Sequence, residues 1–162
     1  AIQIISLSFS NNSNYVMESI KNIGRLEAKL ASFIKDAESK ELNVGFINGA
    51  TYPNGERVAL VAFSNEFGTK EIPSRPFFRS MIAKEKNTWA DKITRALKFT
   101  HYDSHRSLEF LGIDVEGALR QSIIETNDPP NSAETIARKG FNKPLIDTSL
   151  MIKSITSEIV EL

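Results

Sequence analysis

The N-terminal part of the chain changes from strand-like to helix-like patterning. Apolar residues alternate with polar ones between residues 2 and 9, which predicts a strand, and a change of phase near Ile4 predicts a bulge within it. Between residues 15 and 38 the apolar positions instead recur every three or four residues, on one helical stripe. We therefore predict a strand followed by an amphipathic helix.

The next segment is predicted to form a hairpin. Val44–Ile47 and Arg57–Phe63 are rich in β-branched or aromatic residues, and a Pro-Asn-Gly turn at residues 53–55 lies between them. The second segment is apolar without interruption from Val58, as expected of a strand that is covered on both faces. We predict that the two segments pair antiparallel, with the second at the centre of the sheet.

Two long helices are predicted downstream. The first runs from Arg75 to about Phe99, where the apolar residues lie within a narrow arc. The second covers residues 106–126 and has two apolar stripes, the second of which consists of Phe110, Ile113 and Ile124. A helix that is apolar on two faces must bury both, either in a larger core or against another chain.

The C-terminal part alternates between breaks and short elements. The Pro129-Pro130 pair ends the second long helix, and a short helical turn should follow from a capping box at Asn131 and Glu134 to a stop at Gly140. Asp147 and Thr148 can cap another turn. The β-branched residues of 155–160 favour a closing strand, although a repeat of apolar residues every four positions from Met151 leaves a helical alternative.

Together these elements predict a single α+β domain over residues 1–162, with a small, mostly antiparallel sheet of about four strands flanked by three longer helices. Basic and acidic side chains number 20 each, so no global attraction to nucleic acid or to an anionic membrane is indicated. The chain has no cysteine, which excludes disulfides and thiolate metal sites. The apolar N-terminal run is too short for a membrane span, and we expect a soluble, unexported protein.

Candidate chemistry is sparse, and we expect no cofactor and no metal. His101 and His105 have the i, i+4 spacing of half a zinc site, but they lie in a polar segment and have no evident third ligand. Lys84, Arg95 and Lys98 lie opposite the apolar stripe of the 75–99 helix, where DNA phosphates could reach them. An ordinary solvated helix face is the preferred interpretation. A metal-dependent hydrolase and a DNA-binding module remain as alternatives.

The segment from Asn65 to Arg79 is instead rich in turn-forming residues. Glu66 is predicted to bond to backbone or to Arg75, and Phe67 to anchor the turn in the core. Gly68 is predicted to supply a backbone geometry that other residues resist. We rank these structural roles above ligand binding.

Two motifs carry a resemblance to a known family. The first motif joins the end of an apolar segment, at Glu66, Phe67 and Gly68, to the start of a helix, at Arg75, Pro76 and Phe77. The second motif includes Lys139, Leu145, Asp147 and Thr148. In this order they resemble the virion-morphogenesis proteins of tailed bacteriophages, which complete the tail or form the neck between head and tail. The resemblance covers residues 43–160, whereas residues 1–42 match only in kind. At Ser149 the chain departs from the family, which commonly has glycine there.

The resemblance implies a non-enzymatic virion protein, assembled in the bacterial cytoplasm, that joins a homo-oligomeric ring and contacts other neck or tail proteins such as the tail tube or connector. Rings require heterologous contacts, in which one surface meets a different surface of the neighbour. We therefore expect Phe110, Ile113 and Ile124 to contribute to an interface with a second copy or a partner. Nucleic acid is not an expected partner, and neither is a membrane.

Overall fold

The computed structural model describes residues 5–7, 24–47 and 49–162 of the chain. In chain order the described elements are β1 (Ile5–Leu7), α1 (Gly24–Glu38), β2 (Lys40–Gly45), α2 (Val58–Phe67), α3 (Phe77–Glu85), α4 (Trp89–Phe99), α5 (Ser104–Glu125), α6 (Ala133–Lys139), α7 (Leu150–Lys153) and β3 (Thr156–Glu161). None of the described helices combines the length and the hydropathy that a membrane crossing requires.

The described residues divide into two compact units. Unit one contains Gly45–Asn87 and Val115–Thr156, and unit two contains Thr88–Asp114, Ser157–Leu162 and the described part of Ile4–Val44. Helix α5 therefore contributes its first half to unit two and its second half to unit one.

The core of unit one is built from helices. Helix α2 packs against α3 and α7. The second half of α5 buries residues at helical spacing, so that one face of this helix is apolar and covered. The buried side chains are Val58, Ala62, Phe77, Phe78, Met81, Val115, Leu119, Ile123, Met151 and Ile155.

Unit two contains the sheet, whose strand order is β1-β2-β3. Strands β1 and β2 are antiparallel, with Ile5 opposite Val44 and Leu7 opposite Leu42. The middle strand β2 is buried along most of its length. A separate apolar cluster joins α1 to α4, because Leu30, Phe33 and Ala37 pack against Ile34, Leu97 and Tyr102.

The predicted fold class needs correction. An α+β protein was predicted, but the predicted arrangement of about four strands flanked by three longer helices is wrong. The described residues form seven helices, one antiparallel strand pair and a third strand beside it. The closing strand is confirmed as β3, which rules out the helical alternative for this segment. The predicted N-terminal strand and helix extend beyond the described residues, which contain only β1 and α1 from these segments.

The largest error concerns Arg57–Phe63, which was predicted to be the central strand. This segment begins α2, so the predicted hairpin does not form. The buried residues of α2 are Val58, Ala62 and Glu66, at spacings of four, and this is a helical stripe. The uninterrupted apolar run arose because apolar residues also occupy the exposed face of the helix. A short apolar run alone does not distinguish a buried strand from a helix.

Two other predictions concern the helices that follow. The predicted helix from Arg75 to Phe99 is divided into α3 and α4 by a turn at residues 86–88, where Asn and Thr have low helix propensity. The predicted helix over 106–126 is confirmed, since α5 covers Ser104–Glu125. Helix α6 and its stop are also confirmed, because Gly140 adopts the left-handed conformation with φ of 79°. The predicted capping box at Asn131 and Glu134 is wrong, because the N-cap is Ser132, whose side chain accepts from the Thr135 nitrogen.

Candidate functional site

The segment between α2 and α3 is the start of the candidate site, and we call residues 65–79 the junction. It leaves α2 at Gly68, whose φ of 77° and ψ of 169° lie in a region that essentially only glycine occupies. A Cβ atom there would lie 2.9 Å from the Ser74 nitrogen and 3.1 Å from the Ile72 oxygen. The special geometry predicted for Gly68 is therefore confirmed, and its cause is close backbone packing.

Glu66 fixes the start of α3 from across the junction. Its carboxylate accepts hydrogen bonds from the backbone nitrogens of Phe78 at 2.8 Å and Arg79 at 3.1 Å, and from the Arg79 Nε at 2.8 Å. Glu66 is only 4% exposed. A buried negative charge is thus placed against the unpaired N–H groups of a helix N-terminus, where the helix dipole favours it. The predicted backbone contact exists, but the arginine partner is Arg79, not Arg75.

Arg75 connects the junction to the residues that precede the second motif. Its side chain donates to the Pro129 carbonyl at 2.8 Å, to the Pro130 carbonyl at 2.9 Å and to the Asn65 side chain at 3.1 Å. Arg75 is buried, and this desolvation lowers the pKa of its guanidinium. The guanidinium therefore holds together two segments that lie far apart in the sequence.

Pro76 and Phe77 complete the first motif. Pro76 is the N-cap of α3, where its missing N–H costs nothing. Phe77 is buried, contacts the rings of Phe46 and Phe78, and accepts a hydrogen bond at its carbonyl from Ser122 at 2.6 Å. Both residues have structural roles.

The second motif is held by contacts of its own. The Lys139 ammonium donates to the carbonyl groups of Lys143, at 2.7 Å, and Ile146. Burial is the main cause of the lowered pKa of Lys139, and the nearby charge of Asp147 acts in the opposite direction by raising this pKa. Asp147 accepts from Arg138 at 3.1 Å and caps no helix, contrary to the prediction.

A left-handed backbone occurs at two positions of the second motif. Leu145 has a φ of 62°, and Ser149, the N-cap of α7, has a φ of 61°. The side chain of Ser149 makes no capping hydrogen bond. The backbone conformation found at Ser149 is one that glycine adopts without strain. Thr148 is exposed.

The expected interface residues of α5 are exposed. Phe110, Ile113 and Ile124 are 46%, 62% and 42% exposed, whereas the other stripe of the same helix is buried. Phe110 contacts only one large aromatic ring in the described structure, that of Phe99, which is itself exposed. The exposure of these side chains is established, and their contact with a partner stays a prediction.

The three basic residues do not lie on one helix. Lys84 lies on α3 in unit one, where its ammonium is 3.5 Å from the Glu125 carboxylate, and Arg95 and Lys98 lie on α4 in unit two. The continuous 75–99 helix that defined a basic face is absent. The DNA-binding alternative stays a prediction.

The two histidines are not brought together as a metal site. His101 lies in a turn with a φ of 54°, so the helical i, i+4 relation to His105 on α5 does not hold. His105 lies 3.6 Å from Glu109. Among the described residues no group of three His, Cys, Asp or Glu side chains could hold a metal ion.

One surface was missed by sequence reasoning. Helix α2 exposes Leu60, Phe63 and Phe67, at spacings of three and four, and we call these residues the α2 stripe. The Phe63 and Phe67 rings are 4.8 Å apart, and the Arg79 guanidinium lies 4.9 Å from the Phe67 ring centroid. Phe67 is therefore not the core anchor that was predicted. The spacing of the three residues would have revealed the α2 stripe if the segment had been predicted as a helix.

A second surface lies in unit two, beside the exposed residues of α5. Close approach at Gly112, where a Cβ would lie 2.8 Å from the Ser157 hydroxyl, brings α5 against β3. Next to this contact is a groove of about 480 Å³, which we call the α5–β3 groove. It is lined by Leu42, His105, Glu109, Phe110, Ile113, Ser157, Glu158 and Ile159.

The chain was compared with protein-family models, with curated proteins and with solved structures, and none of them matches it.

Proposed function

We propose that the protein is a non-enzymatic structural component of a tailed-phage or prophage virion. It completes the tail or joins head and tail, and it acts through contacts with its own copies and with other neck or tail proteins. Its place of action is the virion, after assembly in the bacterial host. The proposal rests on the resemblance of the two motifs to virion-morphogenesis proteins.

The roles of the motif residues support this proposal. Glu66 and Arg75 are buried charged residues, and all of their hydrogen bonds named above hold backbone segments or neighbouring side chains in place. Residues that the motifs share with an assembly family thus stabilise the fold of this chain. A structural protein needs such a rigid framework, because its function depends on the surfaces that the framework presents.

The single observation that carries the proposal furthest is the exposure of large apolar side chains on α2 and α5. Isolated apolar residues are common on protein surfaces, whereas contiguous groups mark binding surfaces. The α2 stripe is contiguous in unit one, and Phe99, Phe110 and Ile113 form a second group in unit two. Two such surfaces suit a protein that contacts more than one neighbour.

The test is disruption of the gene in the phage or prophage that encodes the chain. Electron microscopy of the resulting lysate should show DNA-filled heads and tails that are not joined. Expression of the unchanged gene from a plasmid should restore complete particles, and a copy with a stop codon should not. Normal virions in the disrupted strain would contradict the proposal.

A further inference from the structure

A tight turn in unit one contains a chemically labile sequence. The chain turns at Pro53, Asn54 and Gly55, where the Gly55 nitrogen donates to the Tyr52 carbonyl at 2.9 Å and Gly55 has a φ of 85°. Asn54 and Gly55 are both exposed. Asparagine is one of the thermolabile residues of proteins. It is especially reactive before glycine, because glycine has no side chain to hinder attack by its backbone nitrogen.

The reaction is an intramolecular attack followed by hydrolysis. The Gly55 nitrogen loses its proton and forms a bond to the Asn54 Cγ atom. The bond between Cγ and Nδ2 breaks, and Nδ2 takes up a proton and leaves as ammonia. Water then opens the resulting cyclic imide at either of its carbonyl carbons. The product at position 54 is aspartate or isoaspartate.

Glu56 binds the side-chain amide of Asn54 at both ends. Its carboxylate accepts from Asn54 Nδ2 at 2.7 Å, and its backbone nitrogen donates to Asn54 Oδ1 at 3.1 Å. The expulsion of Nδ2 breaks the first of these hydrogen bonds. The loss of the Gly55 proton breaks the hydrogen bond to the Tyr52 carbonyl. The folded turn therefore opposes both steps that close the imide ring.

We propose that Asn54 is a site of spontaneous deamidation, that the folded turn suppresses this reaction, and that the Glu56 carboxylate is the side chain that restrains Asn54. Water is the only other reactant. The inference goes beyond the proposed function and does not depend on it.

Deamidation would damage the entry into α2. An aspartate at position 54 would replace the donor that lies 2.7 Å from the Glu56 carboxylate by a second negative charge. Isoaspartate lengthens the backbone and displaces the nitrogen that donates to the Tyr52 carbonyl. The Val58 nitrogen, at the first residue of α2, donates to the Ala50 carbonyl at 2.9 Å and closes the loop that contains this turn. Glu56 thus protects the start of the helix from chemical damage.

The first test compares the folded and the denatured chain. The unchanged protein is incubated at mildly alkaline pH, with and without guanidinium chloride, and then digested with trypsin. Cleavage after Lys40 and Arg57 gives a peptide that contains Asn54 and a second Asn-Gly pair at residues 48 and 49. Fragment-ion mass spectra distinguish the two positions. We expect both to react readily in denaturant, and Asn54 to react at least about tenfold more slowly in the folded protein.

The second test isolates the Glu56 carboxylate. Glu56→Ala should accelerate deamidation of Asn54 in the folded protein about three- to fivefold, because it removes one hydrogen bond. Glu56→Gln keeps an acceptor oxygen and should stay within about twofold of the unchanged rate. Glu71→Ala is the matched control, since Glu71 is an exposed glutamate of the same unit outside the turn. In denaturant all four proteins should react alike, because the restraint depends on the fold.

Three results would overturn the proposal. Equal rates at Asn54 in the folded and the denatured unchanged protein would show that the turn does not suppress the reaction, and this comparison depends on no variant. An unchanged rate in Glu56→Ala would show that the carboxylate does not restrain Asn54. A slower rate in Glu56→Ala would show that the carboxylate assists the reaction as a base.

Discussion

Replacing Glu66 by alanine should destabilise the protein strongly, although the side chain takes part in no proposed contact with a partner. The substitution removes the acceptor of the Phe78 and Arg79 backbone N–H groups, at 2.8 and 3.1 Å, at the start of α3. It also removes the acceptor of the Arg79 side chain. The buried N–H groups would then lack a partner, and the helix would lose a negative charge at its N-terminus.

The magnitude follows from these contacts. Hydrogen bonds to a charged group contribute about 1.5–3 kcal/mol each, and the two backbone donors account for about 3 kcal/mol. Arg79 is half exposed, so its ion pair adds at most about 1 kcal/mol. We therefore expect Glu66→Ala to lower the free energy of unfolding by about 3–4 kcal/mol. Glu66→Gln keeps one acceptor oxygen and should cost about 2 kcal/mol.

The assay is urea unfolding followed by circular dichroism. With a slope of about 2 kcal/mol per molar urea, Glu66→Ala should lower the midpoint by about 1.5 M or more. Glu71→Ala is the matched control, because Glu71 is an exposed glutamate of the same junction, and it should change stability by less than about 0.5 kcal/mol. The structural role of Glu66 would be refuted if Glu66→Ala lay within about 1 kcal/mol of the unchanged protein.

Three further predictions use the same kind of measurement. Gly68→Ala should destabilise by about 2–4 kcal/mol, because the Cβ meets backbone atoms at 2.9 and 3.1 Å and the dihedral angles suit only glycine; a neutral change would contradict this. Ser149→Gly should raise the free energy of unfolding by about 0.5–1 kcal/mol, and with it the melting temperature, because it relieves a left-handed backbone at φ of 61° and removes no capping hydrogen bond. A lower melting temperature would show that the serine is not strained. Hydrogen bonds lower the pKa of Asp36, and the bond from Lys40 has a larger effect than the bond from Ser104. The Asp36 carboxylate therefore stabilises the fold at pH values above its unfolded-state pKa. This contribution is lost as the pH falls through the folded-state pKa. Asp36→Asn should therefore be less stable than the unchanged protein at about pH 6, with a difference that shrinks towards about pH 3, and a difference independent of pH would refute the pairing.

The elements that sequence patterning predicted well have a long buried stripe, an unambiguous end or a strong local preference. Helix α5 has a long buried stripe that includes Leu119 and Ile123, and α6 ends at the left-handed Gly140. Strand β3 has a run of β-branched residues. In each case local preference and tertiary packing agree.

Helix α2 could not be predicted in the same way, because its exposed face is also apolar. Leu60, Phe63 and Phe67 are apolar on a face that the described structure leaves exposed, so they fill the polar positions by which an amphipathic helix is recognised. The apolar run then resembles a buried strand. An exposed face that is apolar thus conceals the period of the helix that carries it.

The candidate site was predicted in part. Glu66, Gly68 and Arg75 were singled out from the sequence, but their partners lie on other segments, and Pro129 and Pro130 in particular are distant in the chain. Spacing along one sequence does not indicate such long-range partners. The α5–β3 groove was not predicted, because it forms only where α5 approaches the third strand at Gly112.

The presence of the protein in finished virions is the most direct test of its proposed structural role. Quantitative mass spectrometry of particles purified on a density gradient should detect the chain in several copies per virion. It should remain with the head or the tail when the particles are dissociated, as expected of a ring at the neck or tail end. Infectious, complete particles that contain none of it would contradict the proposal.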